Sequence, residues 1–170
     1  MTMPLEGLRV VDWTIWQQGP ACSAMLGDLG AEVIKIEERI GGDPGRGVLS
    51  MAGLDMTAVP NAYFEGNNRN KLSITLDLKK REIVHRLVAK SDIFVQNFRK
   101  GVAERLGLGY EDLRRHNLKL IYATATGYGP EGPESGDPSF DMLGQARSGI
   151  MFAAGEPDMD PLAIAGGPAD

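Results

Sequence analysis

Residues 8–37 read as one strand–helix–strand unit, and few architectures can accommodate such a unit. Residues 8–13 form a short β-branched and apolar run, followed by the turn Gln17, Gln18, Gly19 and Pro20. Apolar residues at helical spacing around Met25, Leu26 and Leu29 then predict a helix over residues 21–29, with Pro20 in its first turn and Gly30 at C′. Residues 31–37 (AEVIKIE) read as a second strand. Two strands joined through a helix pair in parallel, with a right-handed crossover. The alternation continues with strands at 72–78, 92–98 and 119–124. A helix at 80–90 carries Ile83, Leu87 and Val88 on one face, a small helix covers 110–116, and 127–137 is a Gly/Pro loop. The expected class is therefore α/β: an open parallel sheet with helices on both faces. No internal repeat or long linker interrupts residues 1–170, which read as one domain.

Composition excludes several functions. A net charge of −5 argues against general nucleic-acid binding, which needs a basic surface. No apolar run is long enough to span a bilayer and residues 1–6 lack a signal-peptide layout, so neither membrane nor export is expected and the cytoplasm is the default location. The single cysteine, Cys22, builds neither a disulfide nor a zinc site and reads as small-residue helix packing beside Ala21, Ser23 and Ala24. His85 and His116 lack metal-binding spacing and read as surface helix residues, so no metal is expected. The turn after the first strand has no G-x-G-x-x-G, and neither a Walker lysine motif nor a G-x-S-x-G elbow occurs.

Ligands of open parallel sheets bind beyond the carboxyl ends of the strands. Gln17 and Gln18, residues 37–39, Lys79 and residues 96–100 all fall there. Arg39, Arg46, Lys71, Lys79, Arg99 and Arg105 could serve a ligand with several phosphates. The carboxylates left as chemical groups are Asp141 and Asp170, the latter following an apolar, glycine-rich run at 162–169.

Several long motifs, in order, carry a resemblance to a known family. They are P-L-E-G-L-R-V-V-D, Q-x-G-P-A-C-S-A-M-L-G-D-L-G-A-E-V-I-K-I-E, N-R-N-K-L-S-I-T-L-D-L-K, D-I-F-V-Q-N-F-R-K-G-V-A-E-R-L-G-L, N-L-K-L-I-Y-A-T-A-T-G-Y-G-P-E-G-P and F-D-M-L-G-Q-A-R-S-G, ending in G-G-P-A-D. The chain resembles the class III CoA-transferases, a family that also holds formyl-CoA transferases, carnitine CoA-transferase and α-methylacyl-CoA racemases. The resemblance implies the Rossmann-like N-terminal part of the large domain, ending at the nucleophile, with the remainder of the family chain absent. Such a piece is expected to be inactive alone.

The resemblance also implies roles. Asp170 matches the catalytic aspartate, which attacks an acyl-CoA thioester and proceeds through acyl-aspartyl anhydride and aspartyl-CoA intermediates. Gln17 matches a residue near the thioester, and Gln18 lies beside the CoA. Leu76, Asp77, Leu78 and Lys79, together with Asn97, Phe98 and Arg99, match segments lining the CoA groove, and Arg105 matches a base there. Where the formyl-CoA transferase type carries arginine this chain has Glu38, and Arg39 is the neighbouring substitute. Phe140 stands where racemases carry histidine and Asp141 follows it, so both are candidate substrate-site residues, and the missing imidazole proton carrier ranks transferase above racemase. A non-catalytic CoA-binding subunit is the other alternative. No permanently bound cofactor is implied: coenzyme A and acyl-CoA are substrates, with a small carboxylic acid as acceptor. An interlocked homodimer, or a family heterodimer, is the implied full-length assembly, without nucleic acid or membrane.

Overall fold

The computed structural model describes residues 2–48, 50–51, 54–55 and 60–170, which fall into two compact units, Met1–Ala125 and Thr126–Asp170. The first unit runs β1 (Arg9–Trp13), α1 (Gln18–Asp28), β2 (Glu32–Glu38), a 3-10 turn (Pro44–Gly47), β3 (Ser50–Met51), β4 (Leu54–Asp55), α2 (Ala62–Asn68), β5 (Lys71–Leu76), α3 (Glu82–Val88), β6 (Ile93–Gln96), α4 (Val102–Arg105), α5 (Tyr110–Leu113) and β7 (Ile121–Thr124). Five strands form one sheet in the order β5-β2-β1-β6-β7, every pair parallel, and β3 and β4 pair as a separate antiparallel hairpin. The order reverses direction between β1 and β6, so the sheet has a topological switch point there.

The two-residue period of the strands sorts side chains onto two faces. Val11, Trp13, Ile36, Leu76 and Phe94 pack with Val84, Val88, Ala103, Leu108 and Leu113 in the larger core. Val10, Val33 and Val95 form a smaller cluster on the other face, with Leu26 of α1 against it. The parallel α/β reading therefore holds.

Local details differ from expectation. In α3 the buried stripe is Val84 and Val88, with Leu87 beside it, while Ile83 lies at the stripe's edge and is exposed. Cys22 is exposed too: α1 turns Gly19, Pro20, Ser23 and Ala24 inward, so the small residues that pack lie one to three positions away from it. Helix α2 lies in a stretch that shows no clear helical pattern; Asn61 caps it by accepting the Phe64 N–H at 3.0 Å. Gly30 does take the left-handed backbone (φ 102°) that ends α1.

The second unit contains α6 (Asp141–Ser148) and α7 (Ile150–Ala153), separated by Gly149. Arg147 pairs with Glu134 at 2.5 Å and lies over the Tyr128 ring.

Candidate functional site

At the carboxyl ends of β1 and β2, the face of the sheet that carries α1 becomes ionic. Asp12 and Lys35 are register partners on adjacent strands, and both are buried. Lys35 Nζ lies 2.9 Å from Asp43 Oδ2 and donates to the Thr14 carbonyl, also at 2.9 Å. Asp12 accepts from Ser23 Oγ at 2.7 Å, from Thr14 Oγ1, and from Lys71 Nζ at 2.9 Å. The Lys71 ammonium spends its other two protons on the Pro20 carbonyl (2.8 Å) and Asn68 Oδ1 (2.9 Å). Burial pushes the Lys71 pKa down, and Asp12 opposes that shift.

One residue along β2 from Ile36, the Glu37 carboxylate receives the Arg46 guanidinium as a fork (2.7 and 2.8 Å), the Ser73 hydroxyl (2.7 Å) and the Asp43 N–H (3.1 Å). The Arg46 bonds, helped by Ser73 and Asp43 against the cost of burial, hold its pKa down at about 2. Arg46 also lies 3.8 Å above the Phe64 ring.

This ionic cluster holds the turn that follows β1. Trp16 adopts φ 67°, a left-handed backbone that a bulky residue keeps only when its surroundings impose it. Its N–H donates to Asp43 Oδ1 at 3.2 Å. The neighbouring Ile15 is clasped at both backbone groups by Asn97, whose Oδ1 accepts the Ile15 N–H (2.9 Å) and whose Nδ2 donates to the Ile15 carbonyl (2.7 Å). Gly19 lets the N-terminus of α1 close onto this turn, since a Cβ there would sit 2.5 Å from Thr14 Cγ2 and 3.1 Å from Asn97 Cγ. Gln17, half-buried, is the N-cap position of α1, and Gln18, exposed, is its first residue.

Beside this turn a cavity of about 350 Å³ opens on the apolar face. Its apolar lining comes from Trp13, Ile36, Leu78, Phe98, Val102 and Leu106, the last two at the start and just past the end of α4, and its polar lining includes Glu37, Glu38 and Asp43. Phe98 stacks on Trp13 at 4.2 Å, and its N–H is held by the buried Gln96 Oε1 at 2.8 Å. Leu76 is buried at the end of β5, Asp77 makes a turn by accepting the Lys79 N–H (3.0 Å), and Asn97 is spent on Ile15. Arg39, Lys79, Arg99 and Arg105 are all exposed. Glu38 accepts the N–H groups of Gly41 and Ile40, which lower its pKa.

Two of the six bases read from the sequence as ligand-facing are not so. Lys71 is the first residue of β5, at the amino end of the strand, and its ammonium is buried with three partners. Arg46 is committed to Glu37 and Phe64. What sequence reasoning missed is the buried set Asp12, Thr14, Lys35 and Asp43; the available signal was a lone charge inside the apolar runs R-V-V-D-W and E-V-I-K-I-E.

In the second unit, Phe140 is the exposed N-cap position of α6 and Asp141 its first residue. Asp141 accepts the Ala169 N–H at 2.8 Å, one residue before the exposed Asp170. His85 and His116 stack at 4.3 Å, with His85 Nε2 against the Gly107 carbonyl at 3.0 Å. Among the described residues, no group of three or more His, Cys, Asp or Glu side chains could hold a metal ion, and no helix is long and apolar enough to cross a membrane.

The sequence profile of CoA-transferase family III matches residues 5–170. The chain is 42% identical over 166 residues to acetyl-CoA:oxalate CoA-transferase of Acetobacter aceti, an alignment covering 96% of this chain and 41% of that protein. It is 41% identical to succinate–glutarate CoA-transferase of Agrobacterium fabrum, over 94% of this chain and 41% of that one. Among solved structures, a CAIB/BAIF family protein from Brucella suis superposes with a TM-score of 0.88 at 38% identity, covering 98% of this chain and 45% of that one. Rv3272 of Mycobacterium tuberculosis superposes with a TM-score of 0.84 at 39% identity, covering 96% and 45%. The chain thus spans less than half the length of the relatives it matches.

Proposed function

The chain belongs to CoA-transferase family III, and from that premise we propose that it supplies the CoA-binding part and the nucleophile of an enzyme that moves CoA from an acyl-CoA thioester to a small carboxylic acid. The observation that carries this reading is the cavity at the switch point, lined by Leu78 and Phe98, with Arg39, Lys79, Arg99 and Arg105 left exposed. Apolar walls suit a flat ring and the bases suit phosphates, the two chemistries that coenzyme A combines.

The proposed reaction begins with the Asp170 carboxylate attacking the thioester carbon. The C–S bond breaks, and an acyl-aspartyl anhydride and CoA thiolate result. Thiolate attacks the aspartyl carbonyl of the anhydride, releasing the donor's carboxylate and leaving an aspartyl-CoA thioester. The acceptor carboxylate opens this thioester to a second anhydride, whose acceptor carbonyl the thiolate attacks to give the new acyl-CoA and free Asp170. A covalent carboxylate divides one hard exchange into easier steps. The Gln17 amide is proposed to donate to the developing oxyanion, the charge most in need of a fixed donor. Gln18 is proposed to lie along the CoA.

The exposed apolar side chains of the second unit, among them Phe140, Met142 and Phe152, support an assembly in which further polypeptide covers them, and an interlocked second copy is the proposed partner. Trapping tests the chemistry. Hydroxylamine added with acyl-CoA to the intact enzyme should inactivate it and leave a hydroxamate at Asp170 by mass spectrometry. An unmodified and still active protein would rule out the covalent route.

A further inference from the structure

Helix α6 holds the segment that leads into Asp170 through contacts for which the transfer chemistry itself gives no reason. Gln145 is wholly buried on a helix whose neighbours Met142 and Leu143 are exposed. Its Oε1 accepts the Ile164 N–H at 2.8 Å, and its Nε2 donates to the Ile164 carbonyl at 2.9 Å and to Asp141 Oδ2 at 2.5 Å. The other Asp141 oxygen accepts the Ala169 N–H at 2.8 Å. Between them Gly144 brings the helix backbone against the same segment, since a Cβ there would lie 2.5 Å from the Ala169 carbonyl oxygen and 3.1 Å from Ala169 Cβ. Residues 161–170 contain no helix or strand and are mostly exposed, so neither a ladder nor a core orders them. The buried Gln145, the half-buried Asp141 and the missing side chain of Gly144 do so instead, with the Leu162 N–H on the Met151 carbonyl (3.0 Å) holding the start of the segment.

From this geometry we infer that Asp141, Gly144 and Gln145 are positioning residues for Asp170. They set the backbone from which its carboxylate is presented, and they do not touch the substrate. The inference rests on the reading of Asp170 as nucleophile. An aspartate side chain has only two torsions, so its reach follows the placement of its own backbone. Attack requires the carboxylate oxygen to come within roughly 3–3.5 Å of the thioester carbon, and a misplacement of about 1 Å can cost ~100-fold in rate. Two hydrogen bonds at Ile164 and one at Ala169 bracket the last turn before Asp170, and Gly144 fixes how closely that turn lies on α6.

The test compares Gly144→Ala, Asp141→Asn, Asp141→Ala and Gln145→Leu with Asp170→Ala in the intact enzyme. Single-turnover acylation is followed by quenched mass spectrometry, alongside kcat and KM for acyl-CoA. The expectation is a fall in acylation and kcat of ~10–100-fold for Gly144→Ala and Gln145→Leu, with KM changed by less than ~3-fold. Asp141→Asn, which keeps one acceptor oxygen, should fall between wild type and Asp141→Ala. That gradation, with KM flat, is what general loosening of the fold does not produce. Should Gln145→Leu fail to fold, Gly144→Ala and Asp141→Asn decide the matter. Wild-type acylation rates in both, with Asp170→Ala inactive, overturn the positioning role and leave the nucleophile standing. A rise in KM without loss of kcat also overturns it, since it would make Asp141 a substrate contact. An active Asp170→Ala enzyme removes the nucleophile reading and this inference with it.

Discussion

Replacing Asp43 by asparagine isolates the buried ion pair beneath the β1–α1 turn. Asparagine is nearly isosteric and keeps an oxygen for the Trp16 and Gly45 N–H groups, so the turn itself retains its acceptor. The change falls on Lys35, which is only 1% exposed and sits 2.9 Å from the lost charge. At that separation and an effective dielectric of about 20, the gross attraction is on the order of 6 kcal/mol. Only part of it is net, because both charges were taken out of water, and removal of one partner from such pairs costs about 3–5 kcal/mol. We expect Asp43→Asn to destabilise the protein by that amount, lowering Tm by roughly 10 °C. The assay is urea unfolding followed by tryptophan fluorescence, with the double variant Lys35→Met/Asp43→Asn measured beside the singles. Removing the stranded ammonium should restore stability to within about 2 kcal/mol of wild type. The loss should also persist at high salt, since a buried pair is poorly screened. A loss below about 1 kcal/mol, or a double variant no better than the sum of the singles, would refute the view that Lys35 depends on Asp43.

Other expectations follow from the same geometry. Gly19→Ala should cost about 1–3 kcal/mol by overpacking, because the added methyl meets Thr14, which is buried and bonded to Asp12; an unchanged unfolding midpoint would show that α1 can retreat freely. The Glu37 pKa is depressed in the fold from 4.5 to about 2, so its stabilisation is complete above about pH 4.5 and is lost as the pH falls toward 2. It amounts to at most ~3 kcal/mol, less for screening at the half-exposed Arg46, and acid titrations of wild type and Arg46→Met should differ in that window. Phe98→Ala should weaken CoA binding by about 1–3 kcal/mol in calorimetry if the ring forms a cavity wall for the ligand. Arg105→Ala should weaken it by roughly 1 kcal/mol, more at low ionic strength than at high.

Legibility followed the range of the physics. The β1–α1–β2 unit and Gly30 at the end of α1 were readable, because period, caps and turns act over a few residues. Ile83 and Cys22 were misread by about one position each, since several faces of a short helix satisfy the same apolar spacing. Helix α2 has only seven residues, too few for its pattern to stand out. Lys71 looked like a ligand-facing base because charge is visible in a sequence and its partner is not; Asp12 lies 59 residues away.

The sequence by itself determined the strand–helix alternation, hence the parallel sheet and the end of it at which a ligand is expected. Its motifs were sufficient to place the chain in its family. Only the tertiary structure decided which polar residues are buried and paired. It turned Lys35 and Asp43 into a clamp under Trp16, left Arg39 and Arg105 exposed, and brought Asp141 and Gln145 against the chain before Asp170. Periodicity is a local property that each segment carries with it, whereas an ion pair or a brace exists only once distant segments meet and water has been removed between them.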